Sequence, residues 1–305
     1  RPTLALGEVF LADSTGEMGI EEELFREAVA AATDEYRVVT VHAEDADLFD
    51  EDARERPDND YDAWSAYRTA EAEAAAVERA VEIGAEEDAR IHVAHTSTPE
   101  GVDAANAGGA TCEVTPHHLF LSRSDYEELG TFGRMNPPLR SEDRREAVFE
   151  RVADGTVDMV ATDHAPHTRE EKDAGIWDVP SGVPGVETAL PLLLEEARKG
   201  TLDYERVRDL TAANPADVFG LTRKGTVEQG LMADLVLVDP DDSREIRGED
   251  LHSKCDWTPF EGMSGVFPEL TMVRGNVVYR SESAEFEGVD VNGEFGDPVG
   301  RNVRE

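Results

Sequence analysis

Lysine is almost missing from these 305 residues. Only Lys172, Lys199, Lys224 and Lys254 stand among 29 basic residues, against 68 acidic ones. The net charge of −39 repels nucleic-acid phosphate and anionic membranes, so no nucleic-acid and no membrane partner is expected. Cysteine is scarce too. Cys112 and Cys255 lie far apart and form no CxxC pair, which excludes a disulfide framework and leaves both as small buried residues. No apolar run reaches the roughly 20 residues of a membrane helix. No secretory leader is seen either. The opening RPTLALGEVF has no initiator Met and no n-region, and reads as the middle of a protein. The expected location is cytoplasmic.

Acidity of this degree often marks disorder, but regularly spaced apolar segments oppose that reading. What remains is a protein of a halophilic cytoplasm, where concentrated salt screens self-repulsion. Loss of fold at low salt is the expected result. An unchanged thermal midpoint in dilute buffer would contradict it.

Apolar runs alternate with longer amphipathic stretches. Residues 4–12, 36–44, 89–97, a run opening at 111, and 157–163 read as strands. Residues 20–33, 63–84 with Gly84 as a stop, 98–109 capped by Thr98, 141–155 with Ser141 as N-cap, 186–199 and 204–213 read as helices. This alternation predicts an α/β fold with a parallel sheet or β/α barrel. After Asn214 the period falls to about two, as in a small antiparallel β unit, and the tail from Ser281 reads as extended. The expected domains are 1–215 for the barrel and 216–305 for the β unit with its tail.

Barrel enzymes collect functional residues at the C-terminal ends of strands. Glu8 lies within the first strand, His42 and Glu44 end the second, His95 the third, His117 and His118 the fourth, and Asp163 the fifth. Imidazole and carboxylate together suit Zn²⁺ or a similar ion, which acidifies a bound water. Asp163 is the candidate to take that proton and pass it to a leaving nitrogen. A single such histidine is usually a hydrogen-bonded core residue, so the weight rests on the set. His92 is expected to face the barrel exterior or the helices as a structural residue, and His252, in the second unit, to have an ordinary role. The loop RMNPPLR is rigid at its prolines. It offers Asn136 and Arg140 either to a substrate or to acidic neighbours. SGVPGVET is either a ring-facing loop or an ordinary connection.

The stretches VHAED, HVAHTST, CEVTPHHLFL, RMNPPLR, ATDHAPHT and GVPGVET, in this order, resemble the dihydroorotase family of the amidohydrolase superfamily. EVTPHH and DHAPH favour it over allantoinase or dihydropyrimidinase. The resemblance runs from about Gly7 to about Tyr279, and implies a TIM-like (β/α)8 metal-dependent hydrolase barrel with a small β-sandwich. It implies zinc, two ions or one, and the interconversion of dihydroorotate and carbamoyl aspartate in pyrimidine biosynthesis. By matching motif, His42, His95 and Asp163 resemble metal ligands, with Asp163 also the proton shuttle. His167 resembles the residue that holds the substrate carboxylate, and Asn136 one that contacts the ring. Pro184 and Gly185 resemble the substrate-facing loop. His117 and His118 match a motif without a metal role.

Two departures stand out. The family's HxH motif and following Arg do not occur here, and by the resemblance the strands start at the fourth. Five strands would leave an open edge, so this polypeptide alone is expected to fold poorly and turn over little substrate. Glu8 also stands where many members carry a carboxylated lysine, and is read as a bridging ligand. Two other readings stay open: a non-catalytic relative that scaffolds a partner, and another cyclic amidohydrolase of allantoinase or hydantoinase type. The small-molecule substrate is the partner implied, and a homo-oligomer is compatible with it.

Overall fold

A computed structural model describes residues 3–12, 18–35, 37–281 and 295–303. Tyr36, read as a strand residue, and most of the polar tail after Ser281 lie outside the described residues. By compactness the chain falls into two bodies. One comprises Thr3–Glu187 with Arg247–Glu261, the other Thr188–Ile246 with the described residues from Gly262 onward. This division breaks at residue 187/188, upstream of the boundary at 215 expected from sequence texture.

In the first body, strands β1 (Ala5–Leu11), β2 (Val38–Ala43), β3 (Arg90–Val93), β4 (Thr111–Val114) and β5 (Met159–Val160) form one parallel sheet in chain order. Helices α1 (Glu22–Asp34), α2 (Ala63–Tyr67), α3 (Ala70–Glu86), α4 (Pro99–Ala107), α5 (Pro116–Phe120), α6 (Tyr126–Leu129) and α7 (Glu142–Asp154) fill the connections. This is the β/α progression of a barrel wall.

Side chains alternate across each strand, so register assigns the faces. Val39, Val41, Ile91, Val93, Cys112 and Val114 are buried. Ile91 faces α3: a Cβ on Gly84 would stand 2.3 Å from its Cγ1. Gly84 is therefore no helix stop. α3 runs on to Glu86, and the missing side chain lets helix and sheet approach. Thr40 pairs with His92 in register, which puts His92 on the same sheet face as Thr40 and His42. This corrects the expectation that His92 faces the helices. Its ring is spoken for there, with Nδ1 2.8 Å from Thr111 Oγ1 and Nε2 3.1 Å from Glu113 Oε2.

Three other elements differ from their sequence reading. The helix expected over 63–84 breaks at Arg68, whose guanidinium is buried, and Thr69 caps the new start by accepting from Ala72 N–H. His117 and His118 sit on α5, not in a strand, because Thr115 caps and Pro116 opens a helical turn. β5 keeps only two residues because its partner β4 ends where that turn begins. Thr98 caps α4 as expected, accepting from Gly101 N–H at 3.0 Å. Both cysteines are buried and free.

The second body pairs β6 (Leu235–Glu245), β7 (Ser264–Val273) and β8 (Asn276–Arg280) in an antiparallel sheet, as the period-two texture implied. It also carries α8 (Ala189–Lys199), α9 (Tyr204–Arg208), a π-helical turn at Asp209–Ala213 and α10 (Asn214–Val218). No described helix is long and apolar enough to cross a membrane.

Candidate metal centre and substrate loops

Three residues from three strand segments converge. His95 Nε2 lies 2.6 Å from Glu8 Oε1 and 3.0 Å from His42 Nδ1, and His42 Nδ1 lies 3.4 Å from Glu8 Oε1. Among the described residues these form the one group of three acidic, imidazole or thiol donors within 4.8 Å of one another. The β1–β2 register shifts between Leu6 and Val9, which brackets Glu8. A bulge of this kind re-aims a side chain. Phe10 stacks on the His42 ring at 4.7 Å. His95 has φ +34° and Asp163 φ +43°. For residues with a Cβ this left-handed backbone is uncommon and costs on the order of 1–3 kcal/mol each. Here it occurs where the chain leaves β3 and, three residues on, β5.

The donors fit a divalent cation. Zn–N bonds of about 2.0–2.1 Å place tetrahedral neighbours roughly 3.3 Å apart, close to the separations seen. Three lone pairs so near one another repel unless a proton or a cation sits between them. Burial works against the Glu8 carboxylate, but hydrogen bonds and charge from His42 and His95 outweigh it, and its pKa falls well below the usual range. Burial likewise disfavours charge on His95, yet the Glu8 hydrogen bond raises its pKa.

The Asp163 carboxylate stands outside this tight group. It is close enough that the charges of His95, Glu8 and His42 all act on it, and burial raises its pKa. A carboxyl raised in this way is better suited to exchange protons near neutral pH.

Behind His42 stand Glu44, named in the sequence only as a polar strand end, and Arg68, which sequence reading did not single out. His42 Nε2 lies 3.0 Å from Glu44 Oε2, and Arg68 Nε donates to both Glu44 oxygens at 3.2 and 3.1 Å. Glu44 is 0% and Arg68 2% exposed. Burial pushes the Glu44 carboxyl up, but the Arg68 charge and the His42 hydrogen bond outweigh it, so it stays ionised. The carboxylate is placed to accept the Nε2 proton of His42, the tautomer that would offer the Nδ1 lone pair to a cation held between it, Glu8 and His95. The available signal was spacing: Glu44 is two residues after His42, on the same strand face. Arg68 had none. Glu73, also buried, accepts from Ser97 N–H (2.9 Å), Thr98 N–H (2.9 Å) and Arg140 Nη2 (3.3 Å), fixing the turn that follows His95. Arg140 is thus a buried bracing residue, with Nε donating to Ser97 Oγ at 2.8 Å.

His117 and His118 are buried, and burial lowers both pKa values, that of His118 to about 3. His118 is used structurally, with Nε2–H donating to the Pro137 carbonyl at 3.0 Å.

The expected substrate residues lie on two tied loops. Asn136 Oδ1 accepts from Trp64 Nε1 (3.1 Å) and Ser181 Oγ (3.2 Å). His167 Nε2–H donates to the Ser181 carbonyl at 2.9 Å. His164 Nδ1 accepts from Gly185 and Val186 N–H at 3.1 and 3.2 Å, pinning the Pro184–Gly185 turn. Gly182 holds φ +120°, and a Cβ there would stand 2.5 Å from the Ala165 Cβ. Buried Lys172 joins the loops, donating to the Arg134 and Pro180 carbonyls at 3.2 and 2.8 Å; burial lowers its pKa to about 7. His164 was singled out at a strand end without a role; Trp64 and Ser181 were missed as individual residues, since each is of a residue type that marks nothing by itself. His252, read as ordinary, pairs with Glu187 at 2.6 Å.

Comparison with known proteins adds the following. The Amidohydrolase family profile matches residues 13–278. A protein of Halobacterium salinarum named dihydroorotase is 71% identical over 95% of this chain and 69% of its own length. One of Methanosarcina acetivorans, of the same name, is 44% identical over 99% and 67%. The solved L-hydantoinase (dihydropyrimidinase) of Arthrobacter aurescens superposes with a TM-score of 0.84 at 28% identity, covering 89% of this chain and 64% of that one. The chain thus spans about two thirds of the length of these relatives.

Proposed function

Because the chain belongs to the amidohydrolase family, whose profile covers most of it, we propose that it carries part of the active site of a dihydroorotase. The reaction is the reversible hydrolysis of the cyclic amide of dihydroorotate to carbamoyl aspartate, in pyrimidine biosynthesis and in the cytoplasm. The convergence of Glu8, His42 and His95 is the observation that carries this reading. The 71% identity to a halobacterial dihydroorotase supports the substrate, and that organism's name agrees with the halophilic reading of the charge.

Glu8, His42, His95 and Asp163 are the residues that would hold zinc, two ions in a complete site. When bound, the cation supplies a Lewis acid for the ring carbonyl and acidifies water. Asp163 takes the proton of the attacking water and delivers it to the departing ring nitrogen. In the reverse direction it accepts the proton of the closing nitrogen. His167 meets the substrate carboxylate with the ring edge not engaged by Ser181. Asn136 contacts the ring, and the Pro184–Gly185 turn lines it. The tie between the loops fixes these groups relative to each other, which lowers the entropic cost of alignment.

The lack of HxH within these 305 residues is what a non-catalytic scaffold would show, and we propose that this polypeptide alone turns over little substrate. The discriminating assay uses the protein expressed from its whole reading frame, in high salt with zinc. It offers dihydroorotate, hydantoin and allantoin side by side. Dihydroorotate should be turned over with a kcat/KM at least tenfold above the others. Equal or better hydantoin turnover would point to the hydantoinases it superposes with, and no turnover of any ring would leave the scaffold.

A further inference from the structure

Lys172 is the one buried member of the four lysines, at 0% exposure; Lys224 is half-buried, and Lys199 and Lys254 are exposed. An ammonium taken out of water is costly, and buried charges are normally paired. Here no carboxylate meets it. Among the described residues Lys172 Nζ donates to two neutral oxygens, the carbonyls of Arg134 and Pro180. Burial, and after it the Arg134 charge, lower the Lys172 pKa to about 7. Folding therefore disfavours the charged form of this side chain. What the ammonium gains in return is a tie between three loop segments. Lys172 N–H donates to the Thr168 carbonyl at 3.1 Å, and Thr131 Oγ1 donates to the Lys172 carbonyl at 2.6 Å. The carbonyls it draws together stand beside the groups that hold His167. Pro180 precedes Ser181, whose carbonyl accepts from His167 Nε2–H at 2.9 Å. The Arg134 carbonyl also accepts from Gly182 N–H at 3.0 Å, which closes its loop on the same turn. Trp257 Nε1–H donates to the His167 carbonyl at 2.7 Å, and its ring centroid lies 5.9 Å from the ammonium. Ring and backbone of His167 are thus each held by a neighbour of Lys172.

We infer that Lys172 is a positioning residue: its buried ammonium gathers the Arg134 and Pro180 carbonyls, so that the Ser181 carbonyl stands where it aims the His167 ring, and it does this at a cost in stability. The bonds are charge-assisted, which makes the tie stiffer than neutral donors would. Lys172 itself touches no substrate. The inference rests on the dihydroorotase reading, since that reading gives His167 to the substrate carboxylate.

The test compares K172M with wild type, both expressed from the whole reading frame and held in high salt with zinc. Methionine is close to lysine in length but neither donates a hydrogen bond nor carries charge. Two properties are read on the same preparations: the midpoint of chemical denaturation, and KM and kcat for dihydroorotate. The K172M midpoint should lie at or above that of wild type, because the buried charge is gone. Its KM should rise about tenfold while kcat stays within about threefold, as expected when a group that only holds a binding residue is lost. A brace that serves the fold alone would give the opposite pattern, a lower midpoint with KM kept. An unchanged KM in K172M overturns the inference. So does a K172M protein that is less stable than wild type or does not fold, and so does a kcat that falls as far as KM rises. A wild-type protein inactive on dihydroorotate sinks the functional reading and this inference with it. An active wild type beside a K172M protein that keeps its KM, or loses its stability, sinks the inference alone.

Discussion

Asp163→Asn should lower kcat for dihydroorotate by about 10²–10⁴-fold, the usual contribution of a positioned general acid–base. The exchange keeps size and hydrogen-bonding shape but removes the group that accepts and returns the proton. Burial raises the Asp163 pKa, and the charges of His95 and Glu8 act on it in opposite senses. Glu8, His42 and His95 form the tight donor group without it. Zinc content should therefore fall far less than kcat. Steady-state rates and metal analysis on the same preparation check this. A variant that keeps its zinc and more than a tenth of wild-type kcat would remove Asp163 from the proton path.

Arg68→Met should cost about 3–5 kcal/mol of stability, the range for removing one partner of a buried ion pair. Glu44 is fully buried, and its charge is met by Arg68 and His42. Without Arg68 that charge has to be neutralised or hydrated. The pair also sets a pH dependence. The folded Glu44 pKa lies well below its unfolded value, near 4.3, so the unfolded state binds more protons in that window. The stabilisation is present above the unfolded value and is lost as pH falls toward the folded one. Adding Glu44→Leu to Arg68→Met should recover much of the stability, because an apolar pair can replace a buried ionic one. It should not recover zinc affinity, expected about 10–100-fold weaker once His42 loses its orienting carboxylate. Chemical denaturation in high salt and zinc titration of the three proteins separate the two effects. A double variant with wild-type zinc affinity would show that Glu44 does not orient His42.

The parallel sheet was legible because apolar residues alternate with helical stretches, and the candidate donors because they recur at strand ends. His42 and His95 needed no structure to be suspected. The face of His92 was misread because periodicity within IHVAH does not say which side of a strand faces the helices. The pairing of His92 with Thr40 does. Gly84 was taken as a stop because glycine often ends helices, whereas its role is set by Ile91, a contact across the fold. Arg68, Trp64 and Ser181 were invisible for the same reason. Each acts through a partner between 24 and 72 positions away. Local pattern thus located the candidate donors, and most of the groups that brace them came from tertiary pairing.

Zinc titration into metal-stripped protein, expressed from its whole reading frame and held in high salt, bears most directly on the convergence at Glu8, His42 and His95. Wild type should bind zinc tightly, and a His42→Ala/His95→Ala double variant that still folds should lose at least one zinc equivalent. An unchanged zinc stoichiometry and affinity in that folded variant would contradict the account.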